Sequence, residues 1–147
     1  KGTYIIDYAH TSAAYKEIYK EFAITKKICT LFGCGGDRDQ TKRAQTGRIV
    51  DKYSSKIIIT SDNSRTERFQ KIQKDILEGI KNTKKVIIIR SRKEAIRYMF
   101  KHSSHNQLNF ILGKGNENYI FENHKKIHHN DIIYLKKLLR DYEHKTI

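Results

Sequence analysis

The stretch "KICTLFGCGGDRDQTKRAQTGRIVDKYS", residues 27–54, contains the unit from which most of the chain is built. It begins with a continuous apolar run at 27–33, as expected for a strand that is buried on both faces. A glycine-rich, charged segment follows, and apolar residues then recur three to four apart over 40–54, the spacing of a helix that covers one side of a sheet. The stretch therefore predicts a strand, a loop at its carboxyl end and a helix that packs back onto the sheet.

The same unit recurs along the chain. Apolar runs predict strands at 3–7, 27–33, 56–62, 85–91 and 108–115, and amphipathic stretches predict helices at 11–23, 40–54, 67–81 and 92–104. A hairpin is expected over 119–129, with its turn near Asn123 and His124, followed by a last helix from about Asp131 to Glu143. This alternation predicts a Rossmann-like α/β domain with three layers, a mostly parallel sheet of about six strands, and a C-terminal hairpin and helix.

Length and composition fit one globular domain that spans residues 1–147, with 37% hydrophobic residues. No apolar stretch is long enough for a membrane helix, and residues 1–8 lack the features of a signal peptide, so we expect a soluble, cytoplasmic protein that does not contact the membrane. The chain starts without Met and almost on a strand, which suggests a piece of a longer polypeptide.

The formal charge of +14 would attract nucleic acid, anionic lipid or a phosphorylated ligand. The lysines are spread along predicted helix faces, so a compositional bias explains the charge equally well. A basic nucleic-acid-binding module, with Tyr4, Tyr8, Tyr15 and Tyr19 as stacking candidates, remains an alternative, although Tyr15 and Tyr19 lie one helical turn apart and are expected to pack against the sheet.

The two cysteines are expected to have structural roles. Cys29 and Cys34 lie on a predicted strand and its exit, which is a poor arrangement for a disulfide. No second pair of Cys or His residues with suitable spacing accompanies them, so we predict no metal site.

Ligands of such sheets bind beyond the carboxyl ends of the strands, and here those exits are unusually polar. At the first exit, Thr11 or Ser12 can cap the following helix, whereas a cap explains neither Asp7 nor His10. At the second exit, glycines precede Arg38, whose guanidinium suits a carboxylate or a phosphate. This exit lacks the G-x-G-x-x-G spacing, so a dinucleotide-dependent oxidoreductase is disfavoured.

The third and fifth exits add groups of both signs. Asp62, Asn63 and Arg65 combine an acceptor, an amide and a cation, as a zwitterionic ligand requires. The fifth exit, "GKGNENY", joins glycines to Glu117 without the spacing of a P-loop. Together the exits predict a cleft for a small molecule with several charges.

Four segments in this order, "DYAHT", "FGCGGDRDQTKR", "SDNSRTE" and "GKGNENY", resemble the C-terminal domain of Mur ligases, specifically of those that add the third amino acid to UDP-N-acetylmuramoyl-L-alanyl-D-glutamate. The resemblance covers nearly the whole chain. It implies an ATP-dependent ligase of peptidoglycan synthesis with three domains, in which ATP converts a substrate carboxylate to an acyl phosphate that the incoming amine attacks. It also implies that ATP and Mg²⁺ are bound mainly by a central domain, whose P-loop and carbamylated lysine are absent from this sequence, so that this domain alone is expected to be inactive.

The resemblance further implies roles for individual residues. The residues that match positions for the incoming diaminopimelate are Arg38, Asp62, Asn63, Ser64, Arg65, Gly113 and Glu117. Those that match the segment facing the nucleotide are Asp7, His10 and Thr11. In relatives that select meso-diaminopimelate, the counterpart of Arg65 holds the distal carboxylate and that of Glu117 faces the distal ammonium.

The chain departs from the family pattern at three positions. Ser64 replaces the proline of the D-N-P-R motif, Asn116 replaces the histidine of G-K-G-H-E, and Ser12 replaces the proline of "HTP". Loss of Pro reduces loop rigidity more than it removes contacts. The presence of Arg65 favours meso-diaminopimelate as the amine, and L-lysine is the alternative within the family.

Overall fold

The computed structural model describes residues 2–22 and 27–145 of the chain. A single parallel sheet contains β1 (Thr3–Asp7), β2 (Lys27–Phe32), β3 (Lys56–Ile59), β4 (Val86–Ile88) and β5 (Gln107–Leu112), arranged in the order β1-β5-β2-β3-β4. The sheet has five strands among the described residues, one fewer than the approximate number expected, because the C-terminal hairpin forms a separate sheet. The Rossmann-like α/β prediction is otherwise confirmed.

Five helices connect or follow the strands: α1 (Ser12–Phe22), α2 (Thr41–Tyr53), α3 (Phe69–Leu77), α4 (Arg92–His102) and α5 (Asp131–Lys145). Each predicted helix is present, although α3 is shorter than the predicted 67–81. Ala23, the last residue of the predicted first helix, lies outside the described residues.

The helices cover both faces of the sheet because the strands are apolar on both faces. In β2, Ile28 and Phe32 belong to the hydrophobic cluster beneath α1, α2 and α3, whereas Cys29 and Leu31 belong to the cluster beneath α4 and α5. Tyr19 lies in the first cluster, and its hydroxyl is 2.7 Å from Thr30 Oγ1. Because the five strands are parallel, the loops that follow their carboxyl ends all lie along one edge of the sheet.

The hairpin consists of β6 (Tyr119–Glu122) and β7 (Lys125–His128). Its turn is at Asn123 and His124, which both have positive φ, and the predicted turn is thus confirmed. Arg65 N donates to Phe121 O at 3.0 Å, and Asn123 N donates to Arg65 O at 2.7 Å. The hairpin is therefore joined directly to the loop that follows β3.

Helix α5 is held to the sheet by a buried ion pair. The Arg92 guanidinium donates to both carboxylate oxygens of Asp131 and to Leu112 O, and His129 Nε2 lies 2.7 Å from Asp131 Oδ1. Both members of the pair are fully buried. Because α4 carries Arg92 and α5 begins at Asp131, the pair fixes the two helices at the end of β5.

Candidate functional site

A pocket of about 660 Å³ opens at the carboxyl ends of β1, β2, β3 and β5. That volume is within the usual range for small-molecule sites. The residues predicted for the site that line it are His10, Thr11, Arg38, Asp62, Asn63, Arg65, Gly113 and Glu117. The structure thus brings together side chains that are far apart in sequence, as the polar strand exits predict.

Asp7 and Ser64 do not line this pocket. Asp7 Oδ1 accepts a hydrogen bond from Ala9 N at 2.7 Å, so this carboxylate shapes the turn before α1. Ser64 is buried, with only 1% of its surface exposed, and its backbone joins neighbouring turns of its own loop. Neither residue lines the pocket, and the ligand contacts that the resemblance implies for both stay predictions.

Thr11 caps α1. Its Oγ1 accepts a hydrogen bond from Ala14 N at 3.2 Å, which satisfies one of the free amides at the start of the helix. The ring of His10 makes an edge contact with the ring of Tyr8, and both residues are exposed at the rim of the pocket. This side of the pocket therefore combines a helix N-terminus with an exposed imidazole, a combination suited to an anionic group.

The loops after β2 and β3 contact each other closely. Gly36 N donates to Asn63 O at 2.8 Å, and a β-carbon at Gly36 would lie 1.8 Å from Ser64 O. Glycine at this position is required because the two backbones leave no room for a side chain. The glycine-rich exit thus allows close approach of the two loops.

Arg65 is held at the junction of these loops. It adopts φ 54°, and its Nη1 donates to Gly36 O at 2.9 Å and to Asn63 O at 3.1 Å. Within residues 2–22 and 27–145, neither Nε nor Nη2 of Arg65 has a hydrogen-bond partner, so both can reach a ligand. Arg38 is exposed on the neighbouring loop and lines the same pocket.

Behind the two loops lies a network centred on Arg43, which sequence reasoning did not identify. Arg43 is buried and donates to both carboxylate oxygens of Glu67, to Asp75 Oδ2 at 2.8 Å and to Gly35 O at 3.0 Å. The hydrogen bonds from Arg43 hold the pKa of Glu67 below its usual range. The network ties α2 and α3 to the loop that carries Arg38.

Lys114 is the second residue that the sequence did not identify. Its side chain has no exposed surface, and its Nζ is 2.6 Å from Glu117 Oε2, 3.1 Å from Asn63 Oδ1 and 3.6 Å from Asp62 Oδ1. The available signal was a lysine between Gly113 and Glu117, two residues after the buried strand β5. The motif match assigned roles to Gly113 and Glu117 but none to the lysine between them.

Gly113 lets the Asp62 carboxylate lie close to the backbone of the loop after β5. It has φ 107°, and a β-carbon there would lie 2.7 Å from Asp62 Oδ2. Any other residue would be strained in this conformation and would displace the Asp62 carboxylate. Gly113 therefore affects the site through its backbone.

Cys34 also lines the pocket, whereas Cys29 is in the core. Burial raises the pKa of each thiol to about 12. Both are free, as predicted. Within the described part of the chain, no group of three or more His, Cys, Asp or Glu residues could hold a metal ion, and no helix is long and apolar enough to cross a membrane.

The pocket is lined by groups of both signs. Arg38, Lys42 and Arg65 supply positive groups, and Asp39, Asp62 and Glu117 supply carboxylates. Arg43 is neutralised by its own carboxylate partners. Such a pocket can hold a ligand with separated carboxylate and ammonium groups.

Comparison with known proteins shows which family the chain resembles. The family model described as "Mur ligase, glutamate ligase domain" matches residues 1–115. The chain is 44% identical over 137 residues to the UDP-N-acetylmuramoyl-L-alanyl-D-glutamate--2,6-diaminopimelate ligase of Wigglesworthia glossinidia brevipalpis, covering 92% of this chain and 28% of that protein. It is 40% identical over 142 residues to the Helicobacter pylori (strain J99 / ATCC 700824) ligase of the same name, covering 97% of this chain and 31% of that protein.

Solved structures extend the comparison. A UDP-N-acetylmuramoyl-L-alanyl-D-glutamate--2,6-diaminopimelate ligase superposes with a TM-score of 0.88 at 30% identity, over 95% of this chain and 29% of that one. A folylpolyglutamate synthase from Thermotoga maritima shares the fold at 17% identity, with a TM-score of 0.55 over 75% of this chain and 24% of that one. The chain spans less than a third of the length of the diaminopimelate ligases that it matches. On the strength of the family match and these relatives, the chain belongs to the Mur ligase family and contains its glutamate ligase domain.

Proposed function

We propose that this chain is the C-terminal, amino-acid-binding domain of an ATP-dependent ligase that adds meso-diaminopimelate to UDP-N-acetylmuramoyl-L-alanyl-D-glutamate in peptidoglycan synthesis. The observation that carries the proposal is the pocket that Arg38, Arg65, Asp62 and Glu117 line together. The names of the relatives that match most of the chain support the same amine and the same acceptor.

Arg65 is the proposed partner of the distal carboxylate of the amino acid. Its position is fixed by two backbone carbonyls, while Nε and Nη2 lack partners among the described residues. L-lysine has no distal carboxylate and would leave this guanidinium unpaired in a closed site. The unmet desolvation cost then rejects lysine more strongly than shape alone.

Glu117 is the proposed partner of the distal ammonium, and Arg38, Asp62, Asn63 and Gly113 complete the surroundings of the amino acid. Held in this way, the reacting amine is oriented toward an acyl phosphate formed in another domain. Domain closure would bring the two reactants together and exclude water. The contribution of this domain is therefore orientation, not phosphoryl transfer.

ATP and Mg²⁺ are proposed to bind mainly to other domains of the same polypeptide, which makes the isolated domain inactive as a ligase. His10 and Thr11 are the proposed nucleotide-facing residues, because they combine an imidazole with the N-terminus of α1 at the rim of the pocket. The described residues offer no metal-binding cluster, and we assign no step to a metal held by this chain.

The test uses the polypeptide with its upstream domains and compares ATP-dependent addition of meso-diaminopimelate and L-lysine. The parent should prefer meso-diaminopimelate, and Arg65→Ala should lower kcat/KM for it by roughly 10- to 100-fold, the effect of losing a hydrogen bond to a charged group. The rate with lysine should change little.

Arg68→Ala is a matched control, because Arg68 is an exposed arginine three residues away that does not line the main pocket. It should leave both rates unchanged. Preference of the parent for lysine, or unchanged selection in Arg65→Ala, would refute the assignment of the amine. DNA binding that persists at physiological salt would favour the nucleic-acid alternative, although Tyr15 and Tyr19 are buried and cannot stack on bases.

A further inference from the structure

Lys114, which has no exposed surface, lies behind Asp62 and Glu117, the two carboxylates that we call the acidic wall of the pocket. Lys114 Nζ has three oxygen neighbours, namely Glu117 Oε2 at 2.6 Å, Asn63 Oδ1 at 3.1 Å and Asp62 Oδ1 at 3.6 Å. It also lies 5.6 Å from the centre of the Tyr119 ring. Lys114 itself does not line the pocket.

The arrangement explains why a lysine is tolerated there. A buried ammonium is costly unless it is hydrogen-bonded and its charge is balanced. Lys114 Nζ donates to Glu117 Oε2 and Asn63 Oδ1, and the Asp62 carboxylate, 3.6 Å away, adds a second negative charge beside it. The lysine in turn separates Asp62 from Glu117, whose like charges would otherwise repel each other.

The contacts also fix one side of Glu117. Its Oε2 accepts from Lys114 Nζ and lies 3.4 Å from Asn63 Nδ2. Asn63 is fixed in turn, because its Oδ1 accepts from Phe121 N at 2.9 Å. Among the described residues, the hydrogen bonds and ion pairs of the Glu117 carboxylate involve Oε2 and none involves Oε1, which leaves Oε1 available to a ligand in the pocket that Glu117 lines.

We infer that Lys114 is a positioning residue, which clamps one oxygen of Glu117 so that the other is presented to the ammonium group of the amino-acid ligand. The inference rests on the proposed function and identifies the device that orients its ammonium-binding group. Asp62 and Glu117 carry two negative charges and Lys114 one positive charge, so the acidic wall retains a net attraction for one ligand cation. Lys114 acts through Glu117 and does not touch the ligand.

The experiment is a double-mutant cycle in the polypeptide with its upstream domains, using Lys114→Met, Glu117→Gln and the double variant. Lys114→Met keeps the length of the side chain and removes its charge. It should raise KM for meso-diaminopimelate about tenfold and leave KM for ATP and for the UDP-linked substrate unchanged. Lys126→Met is the matched control, because Lys126 contacts the same Tyr119 ring from the exposed hairpin and should leave all three KM values unchanged.

The cycle separates positioning from a merely structural role. If Lys114 acts through Glu117, the double variant should have the same KM for meso-diaminopimelate as Glu117→Gln alone. A double variant more than threefold worse than Glu117→Gln, or an unchanged KM in Lys114→Met, would overturn the inference. If Lys114→Met fails to fold by circular dichroism, the comparison of Glu117→Gln with the double variant still decides, because Glu117→Gln keeps Asp62 as a partner for the Lys114 charge and the double variant removes both members of the Lys114–Glu117 pair together. A parent that adds no meso-diaminopimelate would instead refute the proposed function itself.

Discussion

Replacing Asp131 with Asn should lower the free energy of unfolding by about 3–5 kcal/mol, the usual cost of removing one partner of a buried ion pair. The substitution leaves the Arg92 guanidinium with its charge unbalanced at a position where neither side chain is exposed. It also replaces one of the two carboxylate oxygens, which together contact the Arg92 guanidinium and His129 Nε2, with an amide NH2 that cannot accept a hydrogen bond. Because domains of this size are stable by about 5–15 kcal/mol, the loss is a large fraction of the total.

Urea unfolding followed by circular dichroism at pH 7 would measure this loss, with the m-value as a check that the folded state is unchanged in compactness. The control is the double variant Arg92→Met with Asp131→Leu, which removes both charges. It should be more stable than Asp131→Asn, since no buried charge remains unpaired. A loss below about 1 kcal/mol in Asp131→Asn, or a double variant less stable than the single one, would refute the reasoning.

The same pair has a defined pH dependence. Burial alone would raise the pKa of Asp131, but the charge of Arg92 and the hydrogen bonds from His129 and Arg92 outweigh it and hold the pKa well below its usual range. The folded-state pKa is therefore below that of the unfolded chain, about 3.9, so the contribution is complete above that value and is lost as the pH falls. The difference in stability between the parent and Asp131→Asn should shrink below about pH 4.

Two further predictions concern β2 and the loop that follows it. Gly36→Ala should lower the free energy of unfolding by about 1–3 kcal/mol, because its β-carbon would lie 1.8 Å from Ser64 O. Gly35→Ala should cost less in the same urea assay, because the nearest atom to its β-carbon is Arg65 Nη1 at 3.2 Å. Cys29 and Cys34 should react slowly with iodoacetamide at pH 8 in the folded protein and rapidly in urea, because burial raises the pKa of both thiols to about 12. Rapid labelling of the folded chain would contradict the second prediction.

The sequence predicted the fold well because the sheet is buried on both faces. In that arrangement each strand is a continuous apolar run and each helix has a clear apolar stripe, as in the Ile72 and Ile76 pair of α3. The order of the strands in the sheet could not be predicted from local sequence patterns. Strand β5 lies between β1 and β2, and no local pattern specifies that position. The described residues form five parallel strands, close to the predicted number of about six, and the hairpin forms a sheet of its own.

The candidate site was predictable only where polar residues follow strands directly. Arg38, Asp62, Arg65 and Glu117 were found in this way, because parallel strands end at a common edge and their exits converge. Arg43 was missed because it lies within the amphipathic pattern of α2, where a charged residue is expected to be exposed. Its burial depends on carboxylates 24 and 32 residues away, which a local pattern cannot show.

Arg65 and Glu117 show that the local sequence does not determine how a side chain of the candidate site is oriented. The proline expected before Arg65 is absent, yet the arginine is oriented by carbonyls of Gly36 and Asn63 and by backbone pairing with the hairpin. Rigidity that a proline would supply within the loop is supplied here by tertiary contacts, so loss of the proline need not loosen the guanidinium. Glu117 is oriented by a buried lysine three residues earlier. Both groups proposed to bind the ligand thus have one side fixed by the protein, which is the arrangement that lets a binding site keep its geometry before the ligand arrives.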